Sequence, residues 1–541
     1  MRYSRKGKVI DLEKSQIVNA EVVIADGIIE AITPCSIETD SYILPGLVDS
    51  HIHIESSMSS PVEFAKVAVI HGTVATISDP HEIANVCGIE GINYMIRNSF
   101  TTPFKFFFGA PSCVPATSFE TTGAKINSDL IKELMSSPHI HFLSEMMNYP
   151  GVIYGDVEVM AKIQAAKNSG KPIDGHAPML SGDDLKNYVN AGISTDHECN
   201  TVSEGLEKAR LGMKIQIRQG SAAKNYDSLH PLFNLCPNQL MFCSDDLHPE
   251  DLLRGHINIL VKKAIQEGYD LFDVLRAASS NAIEHYNLPI GRLRVGDPAD
   301  YIIVDNLEDF NVLETYIDGN IVAKNGQSLL HSERPKSINN FYANDINTKL
   351  LKVPDKCGEI KAIQIHNSTI LTDMIAARPL SIHGFLESDI QQDLLKLVVL
   401  NRYQKAKPVV CFVKGFSLQK GAIATSVAHD SHNIIAIGCS DQEIVHACEL
   451  VIQNKGAMVA TADKTDMVLP LDIAGLMSSL SVKETAECYT EINKFARECG
   501  CKLNSPYMTM SFLSLPVIPS LKITDKGLFD VNRFCFTDLY L

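Results

Sequence analysis

The sequence has no tryptophan, and none of its 14 cysteines stands in a CxxC pair. The two nearest thiols, Cys499 and Cys501, are separated by Gly500 alone. Thiols scattered along a long chain in this way read as reduced cytosolic cysteines rather than a disulfide framework. No stretch reaches the ~18 consecutive apolar residues of a membrane-spanning helix. The opening Met1-Arg2-Tyr3-Ser4-Arg5-Lys6 runs into the polar Asp11 to Lys14 without an apolar core region, which predicts no secretory signal and a cytoplasmic location. Basic residues are the minority, 48 Lys and Arg against 64 Asp and Glu, for a net charge of −16. That balance argues against nucleic acid or an anionic membrane as the main partner, because phosphate binding needs a basic surface. With 45% hydrophobic and 21% charged residues, wholesale disorder is excluded. Histidine, by contrast, is plentiful, at 18 residues.

A chain of 541 residues implies roughly three or four domains. Glu21 to Ile32 is rich in Val and Ile and contains Asp26-Gly27, a two-residue hairpin signal. A second β-rich block, Gly291 to Val304, is followed by another Asp-Gly turn at Asp318-Gly319. Two β blocks bracketing a long insert predict one composite β-sandwich, built from residues 1–43 and 291–344. The insert, 44–290, repeats a beat of short apolar strands that end in polar, chemically competent residues and lead into helix-like stretches. Eight strands are predicted: Ile43–His53, Thr73–Ser78, Phe104–Gly109, His141–Met147, Pro172–His176, Ile193–His197, Lys214–Arg218 and Leu240–Asp245. Strand and helix alternating in this way give an α/β class, a (β/α)8 TIM-type barrel. Residues 345–541 read as a separate C-terminal α+β domain.

The chemistry gathers at the predicted strand ends. In Asp49-Ser50-His51-Ile52-His53 the two imidazoles are two residues apart, so on a strand they share a face and form a metal pincer. An HxH pair alone is a weak signal. The fourth strand, however, carries Glu145, the fifth ends in Asp174-Gly175-His176, the sixth in Thr195-Asp196-His197-Glu198, and the eighth in Cys243-Ser244-Asp245-Asp246. All fall at the C-terminal mouth, the face on which such barrels carry their active sites. Nitrogen and carboxylate donors without thiolate suit Zn, Mn or Fe(II). Six such ligands with one bridging carboxylate make a two-metal centre.

The HxH after Leu44-Pro45-Gly46-Leu47-Val48-Asp49, the single histidines on strands five and six, the aspartate on strand eight and the bracketing block Gly296-Asp297-Pro298-Ala299-Asp300 resemble the amidohydrolase superfamily. Longer runs resemble its bacterial-type adenine deaminase family: Asp79-Pro80-His81-Glu82-Ile83-Ala84-Asn85-Val86, Ser144 to Val152, Ser244 to Pro249, Ser426 to Asn433 and Ala474 to Ser478. The resemblance covers nearly the whole chain. It implies that His51, His53 and Asp245 hold one metal, that His176 and His197 hold the other, and that Glu145 bridges them where many superfamily members use a carboxylated lysine. It further implies Mn(II) or Fe(II), with Zn(II) as the other candidate, adenine as the small-molecule substrate, hypoxanthine and ammonia as products, and a homo-oligomer, dimer or tetramer.

Deamination requires water to attack C6 of a stable aromatic ring, and metal coordination can lower the pKa of water from 15.7 to about 7. One carboxylate near the nucleophile can move its proton to the departing amine, and Asp245 is the candidate. For the proton at the ring nitrogen, Glu198, Asp246 and His81 stay open. The H-x-E…P-C-x-x-C pattern of zinc-dependent nucleobase deaminases is absent. Asp79, His81 and Glu82 form either an accessory metal group or a surface loop. Arg218, at the end of strand seven, either meets substrate or orients a carboxylate, or else makes a structural salt bridge. His248 touches substrate or merely begins a helix with Pro249. His429 and His432 either close over the barrel mouth or stabilise an interface. His71, His139, His141, His230, His256 and His285 read as structural or surface residues. Two other functions compete: a cyclic-amide hydrolase of the same superfamily, disfavoured by Glu145 in place of lysine, and a non-catalytic scaffold, which should have lost ligands that are all present.

Overall fold

The computed structural model describes every residue of the chain except 222, 332 and 368. The chain divides into two compact units: residues 1–81, 93–113 and 126–334 form the first, and 82–92, 114–125 and 335–541 the second.

In the first unit, the N-terminal strands β1 (Arg2–Asp11), β2 (Gln16–Ala25), β3 (Ile28–Pro34) and β4 (Tyr42–Pro45) come before the barrel strands. The barrel comprises β5 (Leu47–Ile52), β6 (Thr73–Ser78), β7 (Lys105–Ala110), β8 (Ile140–Met146), β9 (Ile173–Gly175), β10 (Thr195–Asp196), β11 (Lys214–Arg218) and β12 (Leu240–Cys243). After it come β13 (Tyr301–Val304), β14 (Val312–Ile317), β15 (Asn320–Lys324) and β16 (Gln327–Ser328). The two flanks join in one eight-stranded sheet of order β16-β15-β14-β13-β4-β1-β2-β3, through antiparallel pairing of β13 with β4. The two Asp-Gly signals are turns with left-handed backbone at both residues, φ 49° and 83° at Asp26-Gly27 and 47° and 73° at Asp318-Gly319, the geometry that two-residue hairpins require. A Cβ on Gly27 would lie 2.9 Å from the Asp318 carbonyl oxygen, so the two turns can meet only through glycine. Buried Asp300 ties the same corner, accepting from Lys105 Nζ at 2.6 Å and from the Gly291 and Asp318 amides, each at 2.9 Å.

The barrel strands are parallel and pair in the orders β5-β6-β7-β8-β9 and β10-β11-β12. They are buried along nearly their whole length, as expected where a parallel sheet is covered on both faces. Two seams close the ring. At one, the Ser194 amide donates to Ile173 O at 2.9 Å. At the other, Asp245 N–H donates to His51 O at 2.9 Å and His53 N–H to Asp245 O at 3.2 Å.

Two strand expectations need correction. The predicted strand Ile43–His53 is two strands: Tyr42–Pro45 belongs to the flanking sheet and Leu47–Ile52 to the barrel. Gly46 lies between them, and only glycine fits there because a Cβ would sit 2.5 Å from both γ-carbons of Val74. The fifth and sixth strands are also shorter than predicted, Ile173–Gly175 and Thr195–Asp196, because side-chain contacts such as Gly175 N–H to Thr195 Oγ1 at 3.1 Å replace ladder bonds there. His176 and His197 therefore stand just beyond the last paired residues.

The second unit is α+β. Its main sheet has eight strands, in spatial order Thr372–Ala377, Ile360–Ile365, Val409–Lys414, Leu394–Leu400, Ile434–Gly438, Ala422–Thr425, Ala457–Ala462 and Thr465–Pro470. Helix Asp441–Gln453 packs Ile444, Ala447, Cys448 and Val451 onto it. Helix Val482–Glu498 starts with a capping box, Ser481 and Glu484 bonding each other's backbone amides. The 14 cysteines are all free thiols, and among the described residues no helix is long and apolar enough to cross a membrane.

The Gly46–Val74 contact is testable. Gly46→Ala should destabilise the protein by about 1–3 kcal/mol through overpacking, measured by urea unfolding. The double variant Gly46→Ala/Val74→Ala should be more stable than Gly46→Ala alone, since it removes the methyls that clash.

Candidate metal centre

Six side chains from the tips of β5, β8, β9, β10 and β12 converge within the first unit. His53 Nε2 lies 3.3 Å from Glu145 Oε1 and 3.4 Å from Asp245 Oδ1. His51 Nε2 lies 3.7 Å from Asp245 Oδ1. On the other oxygen of Glu145, Oε2, His176 Nδ1 stands at 2.7 Å and His197 Nε2 at 3.3 Å. His51 stacks on His197 with ring centroids 4.1 Å apart. The potential ligand atoms of His51, His53 and Asp245 lie within 4.8 Å of one another, as do those of His51, Glu145 and His197. The structure thus brings all six expected donors together, with Glu145 between the histidine pairs.

The site fits divalent cations on its own terms. Among the described residues, neither ring nitrogen of buried His51 has a hydrogen-bond partner, and Nδ1 of His197 has none either, whereas a buried polar atom left unsatisfied costs about 1–3 kcal/mol. Burial, reinforced by the neighbouring His197 and His53, holds His51 well below the ordinary imidazole range, which keeps it neutral as a ligand must be. His53 Nδ1 faces the Asp79 carbonyl oxygen at 3.1 Å, which turns Nε2 toward the carboxylates. Burial alone would raise the Glu145 carboxyl, but His176, His197 and His53 outweigh it and hold the group well below its usual range. Burial would likewise raise Asp245, and the Arg218 guanidinium brings it well down instead. Burial lowers His176, yet Glu198 and Glu145 carry it up to about 9.

The remaining candidates sort by contact. Asp79 and His81 join the cluster: His81 Nδ1 lies 3.1 Å from Asp79 Oδ2 and 3.6 Å from Glu145 Oε1. Arg218 is an ion-pair residue that orients carboxylates, its Nη1 donating to Asp245 Oδ2 at 2.6 Å and to Glu198 Oε1, its Nη2 to Glu198 Oε2 at 3.1 Å. Asp246 accepts from Ser56 Oγ at 2.5 Å. His248 occupies the N-cap position of helix Pro249–Arg254, and its amide donates to Ser221 Oγ at 2.9 Å. Glu82 meets His429 and His432 within the second unit, His429 Nδ1 at 2.7 Å from Oε1 and His432 Nε2 against Oε2. His432 is braced by fully buried Arg402, whose Nη1 donates to its carbonyl at 3.2 Å.

Sequence reasoning missed the layer that orients the donors. The Tyr188 hydroxyl accepts from the His176 amide at 3.0 Å and donates to Met146 O at 2.9 Å, bridging the tips of β8 and β9. Asp196, beside His197, accepts from the Ala177 amide at 2.8 Å and from buried Lys208 at 3.0 Å. Burial would raise that carboxyl, but Lys208 brings it down to about 2. These partners lie 12 or more residues from what they hold, and no spacing rule in the sequence marks them.

Comparison with known proteins agrees with this geometry. Residues 42–322 match the model of the amidohydrolase family, and residues 369–535 match that of the adenine deaminase C-terminal domain. The chain is 52% identical over 534 residues to an adenine deaminase of Sulfurovum sp. (strain NBC37-1), covering 98% of this chain and 99% of that protein. It is 47% identical over 541 residues to an adenine deaminase of Salinibacter ruber, covering 100% and 99% of the two chains. With an adenine deaminase of Borreliella burgdorferi it shares 47% identity over 537 residues, covering 98% of each. A barrel whose strand tips gather four histidines and two carboxylates, carried on a chain that aligns end to end with such proteins, belongs to the adenine deaminase family of metal-dependent amidohydrolases.

Proposed function

We propose that the chain hydrolyses adenine to hypoxanthine and ammonia, with His51, His53, Glu145, His176, His197 and Asp245 holding two divalent cations, Mn(II) or Fe(II) in preference to Zn(II). The observation that carries this reading is Glu145: a buried carboxylate shared between His53 on one oxygen and His176 and His197 on the other, in a chain collinear with adenine deaminases over nearly its whole length. Nitrogen and carboxylate donors suit these borderline and hard cations.

The reaction adds a water oxygen to C6 of the purine and expels the exocyclic nitrogen as ammonia, so a proton must travel from the water to the amine. Bound divalent cations supply Lewis acidity that makes water a competent nucleophile near neutral pH. Asp245 moves the proton: Oδ1 faces the His51 and His53 rings, while Arg218 grips Oδ2 at 2.6 Å and fixes the carboxylate's aim. That grip adds orientation to charge, because a guanidinium holds a carboxylate along fixed directions. Glu198 is bound on both oxygens by Arg218. His81 is backed by Asp79 Oδ2 at 3.1 Å, the arrangement that orients an imidazole for proton transfer, and we assign it the proton at the ring nitrogen.

The direct test incubates metal-loaded protein with adenine and follows ammonia release and purine absorbance, with Mn, Fe and Zn reconstitution in parallel. Turnover should vanish on chelation and return with metal, and absence of ammonia from adenine under every condition overturns the proposal. Asp245→Asn should fold as the unaltered protein does and lose about 10²- to 10⁴-fold in kcat, read by the same assay; near-normal turnover would refute the proton-shuttle role. Glu145→Gln should retain less metal after gel filtration, because an amide oxygen bridges two cations poorly. Full metal content in that variant, measured by elemental analysis, would count against a bridge.

A further inference from the structure

His256 reads from the sequence as structural or surface; its surroundings assign it something more specific. It precedes helix Ile257–Gln266 and is buried. Its Nε2 donates to Asp49 Oδ2 at 2.8 Å, and its Nδ1 lies 2.7 Å from Thr73 Oγ1 at the start of β6. Phe64 packs edge-on against the ring, centroids 5.6 Å apart and planes at 82°. Asp49 is itself fully buried and accepts four hydrogen bonds. Oδ1 takes the His51 amide at 3.2 Å and the Ser244 amide at 3.1 Å, and Oδ2 takes the Ser244 hydroxyl and His256.

Each backbone group that Asp49 grips belongs to a metal donor or its neighbour. The His51 amide is the donor's own, and Ser244 precedes Asp245. Asp245 has a left-handed backbone, φ 56°, which a non-glycine residue holds only when its surroundings dictate it. That turn lets Asp245 N–H reach His51 O at 2.9 Å while Asp245 O accepts from His53 N–H at 3.2 Å. Asp49 secures it from the Ser244 side. In a dry site a carboxylate that loses one of its donors re-aims or draws in water, and both amides it holds would then loosen.

We propose that His256 is a positioning residue for the metal centre: by holding Asp49 it sets the placement of His51 against Asp245. The inference rests on the reading that these residues bind the cations. Partners of this kind behind metal ligands typically govern metal affinity by 10- to 100-fold.

The experiment titrates Mn(II) into the metal-depleted full-length chain by calorimetry and records thermal unfolding of the same metal-depleted samples. His256→Phe, which keeps a planar ring but no donor, should bind Mn(II) about 10- to 100-fold more weakly. His256→Gln, which can return an N–H near the Nε2 position, should recover to within about threefold of the unaltered protein, on the same scale of partner effects. Wild-type affinity in His256→Phe overturns the proposal, as does a loss of affinity in both variants that merely follows their loss of unfolding temperature. Should His256→Phe fail to fold, Ser244→Ala removes another donor to the same carboxylate oxygen. It should weaken Mn(II) about tenfold, and unchanged affinity overturns the proposal equally. His51→Ala separates the two levels: if it binds Mn(II) like the unaltered chain, the cation lies elsewhere and the metal-site reading itself fails, whatever His256 does.

Discussion

The centre is organised around one carboxylate. Glu145 is buried at the tip of β8 with His53 on one oxygen and His176 and His197 on the other, at 2.7 to 3.3 Å. A carboxylate taken out of water loses several kcal/mol of solvation and survives there only if its lone pairs are met. Three imidazoles from three different strands meet them, so the position of each strand tip is coupled to the others through a single group. A carboxylate can also face two cations at once, one per oxygen, and the proposed two-cation reading rests on that property.

The parallel barrel makes that convergence available. Strand hydrogen bonds fix β5 to β12 side by side, and at the C-terminal ends the ladder runs out, freeing backbone and side chains to be held by other means. Arg218 then anchors Asp245, Tyr188 anchors His176, and the Lys208–Asp196 pair anchors the loops that carry His176 and His197. The left-handed backbone of Asp245 belongs to the same scheme. Asp245, His176 and His197 are thereby held in place by the protein itself, which would lower the reorganisation that cation binding requires.

The second unit uses the same physics in a different setting. Its main sheet is antiparallel apart from the Ile360–Ile365 and Val409–Lys414 pair. A fully buried arginine, Arg402, spends its donors on the carbonyls of His432 and Ala474 and on Asn339 Oδ1 rather than on a carboxylate. Burial lowers that guanidinium from its ordinary range. The His432 ring, pushed down to about 4 chiefly by burial, sits against Glu82. Arg402 is thus buried among several acceptors, each of which receives one of its donors.

The candidate donors were legible in the chain: an HxH two residues apart, one histidine after each of two short strands, and an aspartate closing the eighth all follow from period-two strand geometry and from where barrels place their reactive residues. So were the two Asp-Gly hairpins, because left-handed φ at consecutive residues selects those residue types. The need for glycine at residue 46 was not legible, since it comes from the methyls of Val74, 28 residues away in sequence. Nor was the pairing of His256 with Asp49, across 207 positions; Arg218 was marked by its place at the end of the seventh strand, but its partner Asp245, 27 positions away, was not. Periodicity reports which face of a local element a side chain shares, and so the sequence by itself determined which residues could bind a cation. Only the closed barrel decided which of them point at one another, because hydrogen bonds between distant segments depend on distances that no local repeat encodes.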